Sequence, residues 1–316
     1  MQNDRFLPEG TLIHTPQNTM LTNSLDMLYA AMENETVLEG EVTLCDTSHN
    51  LTVRIGSFYG VIPHSETALG IDDGSTREIA IISRVGKPIS FTVIGIEKQN
   101  QDIKLLLSRK KAQQKALSHF LKNLSPGEII PAKVTHLEPF GAFVDIGCGI
   151  TSLIGIETIS VSRISHPRDR FKAGDDIFAV VTGVDRDKNR IYLSHRELLG
   201  TWEENSERFT VGETVCGIVR GIEDYGIFIE LAPNLSGLAE WREDIKPGLS
   251  VSVFIKSIIP EKMKIKLIII DIFPEGMPKH ISREDYFITE GEVGLWQYSP
   301  SACSRKRIAS DFKKTL

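Results

Sequence analysis

In "PFGAFVDIG", Pro139 to Gly147, two phenylalanines stand three positions apart across a Gly-Ala pair. Such rings need no ionisation to do useful chemistry. An exposed aromatic face stacks on a nucleobase, is worth about 1–3 kcal/mol per base, and is indifferent to which base it meets. Phe140 and Phe143 serve that way only if both point outward. On a plain strand, residues three apart face opposite sides. A glycine inside a strand often marks a bulge, and one extra residue at Gly141 would bring both rings to one face. The phrase returns as "DYGIFIELA", Asp224 to Ala232, with Tyr225 and Phe228 in the aromatic places. Tyrosine suits an outward position, since its hydroxyl tolerates water. A Phe-Gly-Ala-Phe stretch in a β-rich chain is also ordinary core; the recurrence favours the platform. Lys133, Arg220 and Lys256 fall on the same expected face. Each is either a solvated charge or a phosphate contact, and each contact to a single strand would steepen the fall of log K with log salt by about 0.7.

No other chemistry is spelled out. No histidine is paired with a nucleophile or set at metal-ligand spacing. There is no phosphate loop and no dinucleotide fingerprint. The adjacent Asp175 and Asp176 sit in a turn and shape it. Cys45, Cys148, Cys216 and Cys303 lie far apart, which argues against cysteine-bound zinc and against a disulfide framework. The expectation is a chain with no catalytic constellation, no cofactor, no metal and no small-molecule substrate.

The elements that must position these rings come from an internal repeat. "PGEIIPAKVTHLEPFGAFVDI" from Pro126 aligns without a gap on "VGETVCGIVRGIEDYGIFIEL" from Val211, an offset of 85 (212 minus 127 at the glycines). "KAGDDIFAVVTGVD", "KPGLSVSVFIKSII" and "RVGKPISFTVIGIE" are three versions of a later phrase, so the first unit is a degenerate copy. Each unit reads as short Val-, Ile- and Phe-rich runs between Gly, Asp and Pro, which predicts antiparallel strands. In the second unit they fall near 129–137, 142–147, 152–155, 177–184 and 190–194. Five short strands per unit predict a mainly β fold of three tandem OB-type Greek-key barrels with short connecting helices. Val134, Val144, Ile146 and Val180 would fill the second interior. The predicted domains are an N-terminal segment 1–33, partly disordered with a helix near Leu25 to Met32; barrels at 34–107, 125–200 and 201–272; a connecting helix 108–124; and a tail 273–316. A shorter helix is expected within Leu193 to Phe209.

Composition limits the function classes. Hydrophobic content of 41% with 25% charged residues is that of a soluble globular chain. No apolar run is long enough for a membrane span, and the start lacks a signal-peptide pattern, so the cytoplasm is expected. A net charge of -6 argues against coating nucleic acid by charge alone, though not against a local groove or stacking.

"VTHLEPFGAFVDI", the "AGDDI" turn and "VDRDKNRIYLSHR" together resemble the S1 RNA-binding domain of the small-subunit ribosomal protein S1 family, over roughly residues 34–271. The match is strong in the second unit, good in the third and weak in the first. The resemblance implies a five-stranded barrel that binds single-stranded RNA through the two aromatics, a histidine in a later phrase, and an Asp and Arg around the last turn. The aromatics are Phe140 with Phe143 and Tyr225 with Phe228; the Asp and Arg are Asp185 and Arg190. The histidine place holds Gly155 in the second unit, Glu240 in the third, and Pro63 beside His64 in the first. The third unit has no Asp/Arg pair, but Lys262, Lys264 and Lys266 lie at that edge.

Three further basic groups are either solvated or in contact with RNA: Arg109, Lys110, Lys111 and Lys115 on the connecting helix; Arg163, His166, Arg168 and Arg170 in the inserted stretch Ile159 to Phe171; and Arg305, Lys306 and Arg307 in a tail that also holds Trp296 and Tyr298. The reading is a non-enzymatic binder of mRNA that acts in translation, with the small ribosomal subunit as a partner. Two linked weak sites gain through effective concentration. The first unit, which lacks the aromatics, is the candidate for protein docking. The rival readings are a ribosome- or degradosome-docking module with incidental RNA contact, and an accessory module of an RNA-processing enzyme. No heptads point to an oligomer.

Overall fold

The computed structural model describes residues 6–99, 102–273, 281–304 and 306–313. After helices α1 (Pro16–Thr22) and α2 (Leu25–Glu33), strands β1 (Leu38–Cys45), β2 (Leu51–Ile55) and β3 (Phe58–Ile62) lead through α3 (Glu78–Ile82) to β4 (Pro88–Gln99) and β5 (Asp102–Ser108). Helix α4 (Arg109–Asn123) precedes β6 (Ile129–Glu138), β7 (Gly141–Asp145), β8 (Thr151–Gly155), α5 (Ile156–Ile159), β9 (Asp176–Asp185) and β10 (Arg190–Ser194). Helix α6 (Trp202–Ser206) precedes β11 (Thr214–Glu223), β12 (Gly226–Ala232), β13 (Leu235–Ala239), β14 (Ser250–Ile259) and β15 (Lys264–Phe273). A two-stranded ribbon, β16 (Leu295–Gln297) and β17 (Ala309–Asp311), ends the described chain.

The three sets of five strands form three closed barrels with one topology. Three strands meander, the third pairs parallel with the fifth, and the fourth bridges the fifth and the first. Alternation drives the closure. In β2, Leu51, Val53 and Ile55 point in while Thr52 and Arg54 point out. In the second barrel Val134, Val144, Ile146 and Val180 are buried, as the pattern requires. Each such side chain contributes about 1.5–3 kcal/mol through burial.

Phe140 stands in the turn between β6, which ends at Glu138, and β7, which begins at Gly141. In the third barrel the register slips in β11, between Val219 and Gly221, so the extra residue is on the neighbouring strand. Gly226 opens β12 directly after the turn Asp224-Tyr225, at φ +147°. A Cβ there would lie 2.5 Å from the Ala239 carbonyl oxygen, and one at Gly141 would lie 2.4 Å from that of Ile154. Glycine is needed so that the next strand can close in. The first aromatic stands in the turn and the second in the strand, which removes the problem of alternation.

By contact density the chain divides into two compact units: residues 1–124 with 131–133 and 145–151, and residues 125–130, 134–144 and 152–316. In the first unit, the N-terminal stretch 1–33 is described from residue 6 onward. Residues 1–5 lie outside the described residues, but α1 and α2 are capped by the side chains of Thr15 and Ser24. Glu9 is buried and accepts from Arg109 Nε at 2.7 Å and Nη2 at 3.0 Å. The basic cluster of the connecting helix is therefore no open patch. Arg109 is held by Glu9, Lys110 pairs with Asp72, and Lys111 and Lys115 both pair with Glu35.

In the second unit, the inserted stretch joins two barrels. Val161 N donates to Asn234 Oδ1 at 2.8 Å, and Arg170, fully buried, donates to Glu230 at 2.6 Å. The aromatic tail is core: Trp296 and Tyr298 are buried with Trp202 in the third barrel's cluster, and Tyr298 donates to the Asn234 carbonyl. Tyr286 donates to buried His195 Nε2 at 2.8 Å, whose Nδ1 lies 2.8 Å from the Ile159 carbonyl oxygen. Burial pushes the His195 imidazole down to about 4. Lys306 and Arg307 are exposed, and Arg305 lies outside the described residues.

Candidate nucleic-acid interface

The aromatic pairs have nearly the same geometry in both barrels. Phe140 and Phe143 meet edge to face with centroids 5.9 Å apart at 88°; Tyr225 and Phe228 do so at 6.0 Å and 90°. The turn residue is the open one of each pair: Phe140 is 55% exposed and Tyr225 70%, while Phe143 and Phe228 are half-buried. The turn sequence explains this, because Pro139-Phe140 and Asp224-Tyr225 are two-residue links that the barrel interior cannot reach. An edge-to-face pair with one free face can take a base on that face and rest on its partner.

Strand register extends each platform. In the third barrel Phe228 pairs with Gly221 on one side and Leu238 on the other, and Leu238 pairs with Lys266. In the second barrel Tyr192 of β10 pairs with Leu153 of β8, the strand next to β7. Tyr192 is 44% exposed, between inward Ile191 and Leu193. His136 stacks on Phe143 with centroids 6.3 Å apart at 27°, and its Nε2 lies 2.6 Å from Glu138 Oε1. Neither His136 nor Tyr192 is part of the repeated aromatic phrase. The signal for Tyr192 was present, since in "RIYLS" it alternates with two apolar residues that must face inward. Trp241, 55% exposed just after β13, also lies outside that phrase.

The polar candidates separate into two groups. Arg190 is exposed and lies two residues from Tyr192 on the same side of β10. Lys256 is exposed where β14 slips register opposite Leu267 and Lys266, and Lys264 pairs with Ile259 at that end of the barrel. These four cations, Lys266 included, remain candidates for phosphate. Asp185 is positioned opposite Arg190 across the ladder but serves its own turn. Its Oδ1 accepts the Lys188 amide at 3.0 Å, and that bond holds its carboxyl below the usual range. Lys133 is half-buried, with its ammonium beside Gly10 of the N-terminal segment.

Arg220 is a correction. Its side chain is only 9% exposed, its Nε donates to Glu230 Oε2 at 2.7 Å, and its Nη1 lies 3.6 Å from Asp169. Glu230 thus gathers Arg170 and Arg220, and both guanidinium groups are spoken for. Arg170 and His166 of the inserted stretch are likewise engaged, the latter capping a short turn through its Nδ1.

The first barrel lacks the platform for a structural reason. Thr52 pairs with Val61 as Phe228 pairs with Leu238, so Thr52 stands in the strand position of the second aromatic. Its backbone carbonyl accepts from Thr43, as that of Phe143 accepts from Thr135.

Residues 124–196, which contain the second barrel, match the family model described as S1 RNA binding domain. The chain is 30% identical over 258 residues to the small ribosomal subunit protein bS1 of Leuconostoc lactis, covering 75% of this chain and 58% of that protein. It is 28% identical over 275 residues to the protein of the same name in Staphylococcus aureus strain COL, covering 82% of this chain and 67% of that one. A multidomain protein with nucleic acid binding domains from Streptococcus pneumoniae is similar at 14% identity over 75% of this chain and 74% of that chain, with a TM-score of 0.25. Among the described residues no helix is long and apolar enough to cross a membrane.

Proposed function

We propose that this chain, whose residues 124–196 match the S1 RNA binding domain family model, is an S1-domain protein that binds single-stranded RNA through its second and third barrels. Its partners in that reading are mRNA and the small ribosomal subunit, and its role is non-enzymatic and in translation. The observation that carries the reading is the exposed edge-to-face aromatic pair, repeated at 5.9 and 6.0 Å in two barrels. Bases stack on Phe140 and Tyr225, with Tyr192 extending the second platform. Arg190, Lys256, Lys264 and Lys266 meet the backbone, while Asp185 shapes the turn that presents Arg190. Stacking supplies about 1–3 kcal/mol per base without sequence preference. Two such sites on one chain reinforce each other through effective concentration. A negative net charge is compatible with this, because stacking does not depend on it.

The test compares ligands. A labelled single strand of about twelve nucleotides, roughly one OB-fold site, is titrated by fluorescence anisotropy beside its own duplex. Binding of the strand with weak binding of the duplex supports the reading, because paired bases offer no face to stack on. Equal binding of both assigns the association to charge, and no binding of either turns the barrels over to protein docking.

A further inference from the structure

Three side chains that are far apart in sequence meet on the first barrel. His49 lies in the turn between β1 and β2, His64 opens the short helical turn after β3, and Glu78 begins α3. One ligand atom from each lies within 4.8 Å of the others. His49 Nδ1 is 2.9 Å from Glu78 Oε2, and His64 Nε2 is 3.0 Å from Glu78 Oε1. The imidazole centroids are 5.9 Å apart.

The setting is built rather than accidental. His49 is held at φ +59°, in the left-handed region that non-glycine residues seldom adopt. Asp46 fixes the turn, with its Oδ1 accepting the amides of Ser48 at 2.8 Å and Asn50 at 2.9 Å. Asn50 Oδ1 then accepts the His64 amide at 2.9 Å, which ties the two histidine-bearing segments together. All three ligand side chains keep an open side, 35–50% exposed. Cys45 ends β1 next to this turn, and its thiol is raised by burial and by the charges of Asp46 and Glu78.

We propose that His49, His64 and Glu78 form a binding site for a divalent transition metal of the zinc class, with one position open. Two imidazoles and a carboxylate are a zinc donor set, and three protein ligands leave the fourth place to water. With bonds of about 2.0–2.2 Å, tetrahedral ligands stand about 3.3 Å from one another. Glu78 Oε2 stands 2.9 Å from His49 Nδ1 and 3.1 Å from His64 Nε2, within a few tenths of an ångström of that, so one carboxylate oxygen already faces both imidazole donors. Imidazole donors select zinc, cobalt, nickel or copper over magnesium and calcium, which require oxygen. The metal would clamp the β1–β2 turn, the exit of β3 and the start of α3.

The full chain, stripped with a chelator, is titrated with Co²⁺ and read by visible ligand-field absorption, with Zn²⁺ as competitor. The expected result is one saturable site, displaced by Zn²⁺ and untouched by Mg²⁺, with a higher melting temperature in the presence of metal. His49→Asn suits the test because asparagine tolerates the left-handed backbone. Glu78→Gln keeps the shape and removes the anionic ligand. Each should weaken Co²⁺ binding by at least about tenfold, since even outer-shell losses cost about 10–100-fold. Their melting temperatures in chelator should match wild type, and Cys216→Ser, a control for the exposed thiol, should leave the spectrum alone. The proposal is overturned if folded wild type gives no saturable band, or if both variants bind Co²⁺ as wild type does.

Discussion

Replacing Arg220 by methionine separates its two possible roles. If Arg220 contacts phosphate, its loss reduces the salt dependence of RNA binding. The structure gives it to Glu230 instead, through bonds of 2.7 Å from Nε and 3.3 Å from Nη2, with 9% of the side chain exposed. Hydrogen bonds between charged groups contribute about 1.5–3 kcal/mol, so Arg220→Met should cost about 2 kcal/mol. It should not cost more, because Arg170 still holds Glu230 at 2.6 Å and no charge is orphaned. Glu230→Gln is the harsher change. It leaves the fully buried Arg170 and the nearly buried Arg220 facing each other, at a cost of about 3–5 kcal/mol. Urea unfolding followed by tryptophan emission reads the right region, since Trp202 and Trp296 lie in the third barrel's core. RNA titration across a salt series reads the other role. Lys256→Met should lower the salt slope by about 0.7, and Arg220→Met should leave it unchanged. The reasoning is refuted if Arg220→Met lowers the slope by that amount while the urea midpoint stays put.

Three further outcomes are expected. Tyr192→Ala should weaken RNA binding by about 1–3 kcal/mol with little loss of stability, because its ring is exposed beside Leu153; anisotropy and a thermal melt together check it. His195 should give an acid response. Its folded value near 4 lies below its usual 6.5, so the unfolded chain takes the proton first, and stability falls as pH drops from about 6.5 to about 4. The difference of 2.5 (6.5 minus 4) corresponds to about 3 kcal/mol at 1.36 kcal/mol per unit. Glu39, raised to about 6 by burial, works in the opposite sense, stabilising the fold as pH falls, so the informative quantity is the pH slope of wild type minus that of His195→Gln. Gly226→Ala should cost about 2–4 kcal/mol, from its positive φ and the 2.5 Å approach to the Ala239 carbonyl, measured by urea midpoint.

The barrels were legible because their information is local. Alternation, turn residues and the 85-residue offset describe strands and their order without any long-range contact. The outward aromatics were legible for the same reason. The turn carries the first ring, and the close approach of strands demands the glycine. What stayed hidden depends on pairing between distant residues. Nothing near Arg220 says that Glu230 will take its charge, or that Arg170, 50 residues earlier (220 minus 170), shares the same carboxylate. The basic run on α4 looked open because Glu9, Glu35 and Asp72, its partners, come from segments with no periodicity. His49, His64 and Glu78 were unreadable as a group because a fold, not a spacing, brings them together.

The measurement that bears most directly on the stacking account is RNA binding by Phe140→Ala/Phe143→Ala, followed by anisotropy at several salt concentrations, with circular dichroism to confirm the barrels. The account predicts a loss of about 2 kcal/mol or more, roughly thirtyfold, at every salt concentration and with the salt slope intact. Binding curves that overlay those of wild type in a folded variant would contradict it, and would make the two phenylalanines packing residues or protein contacts.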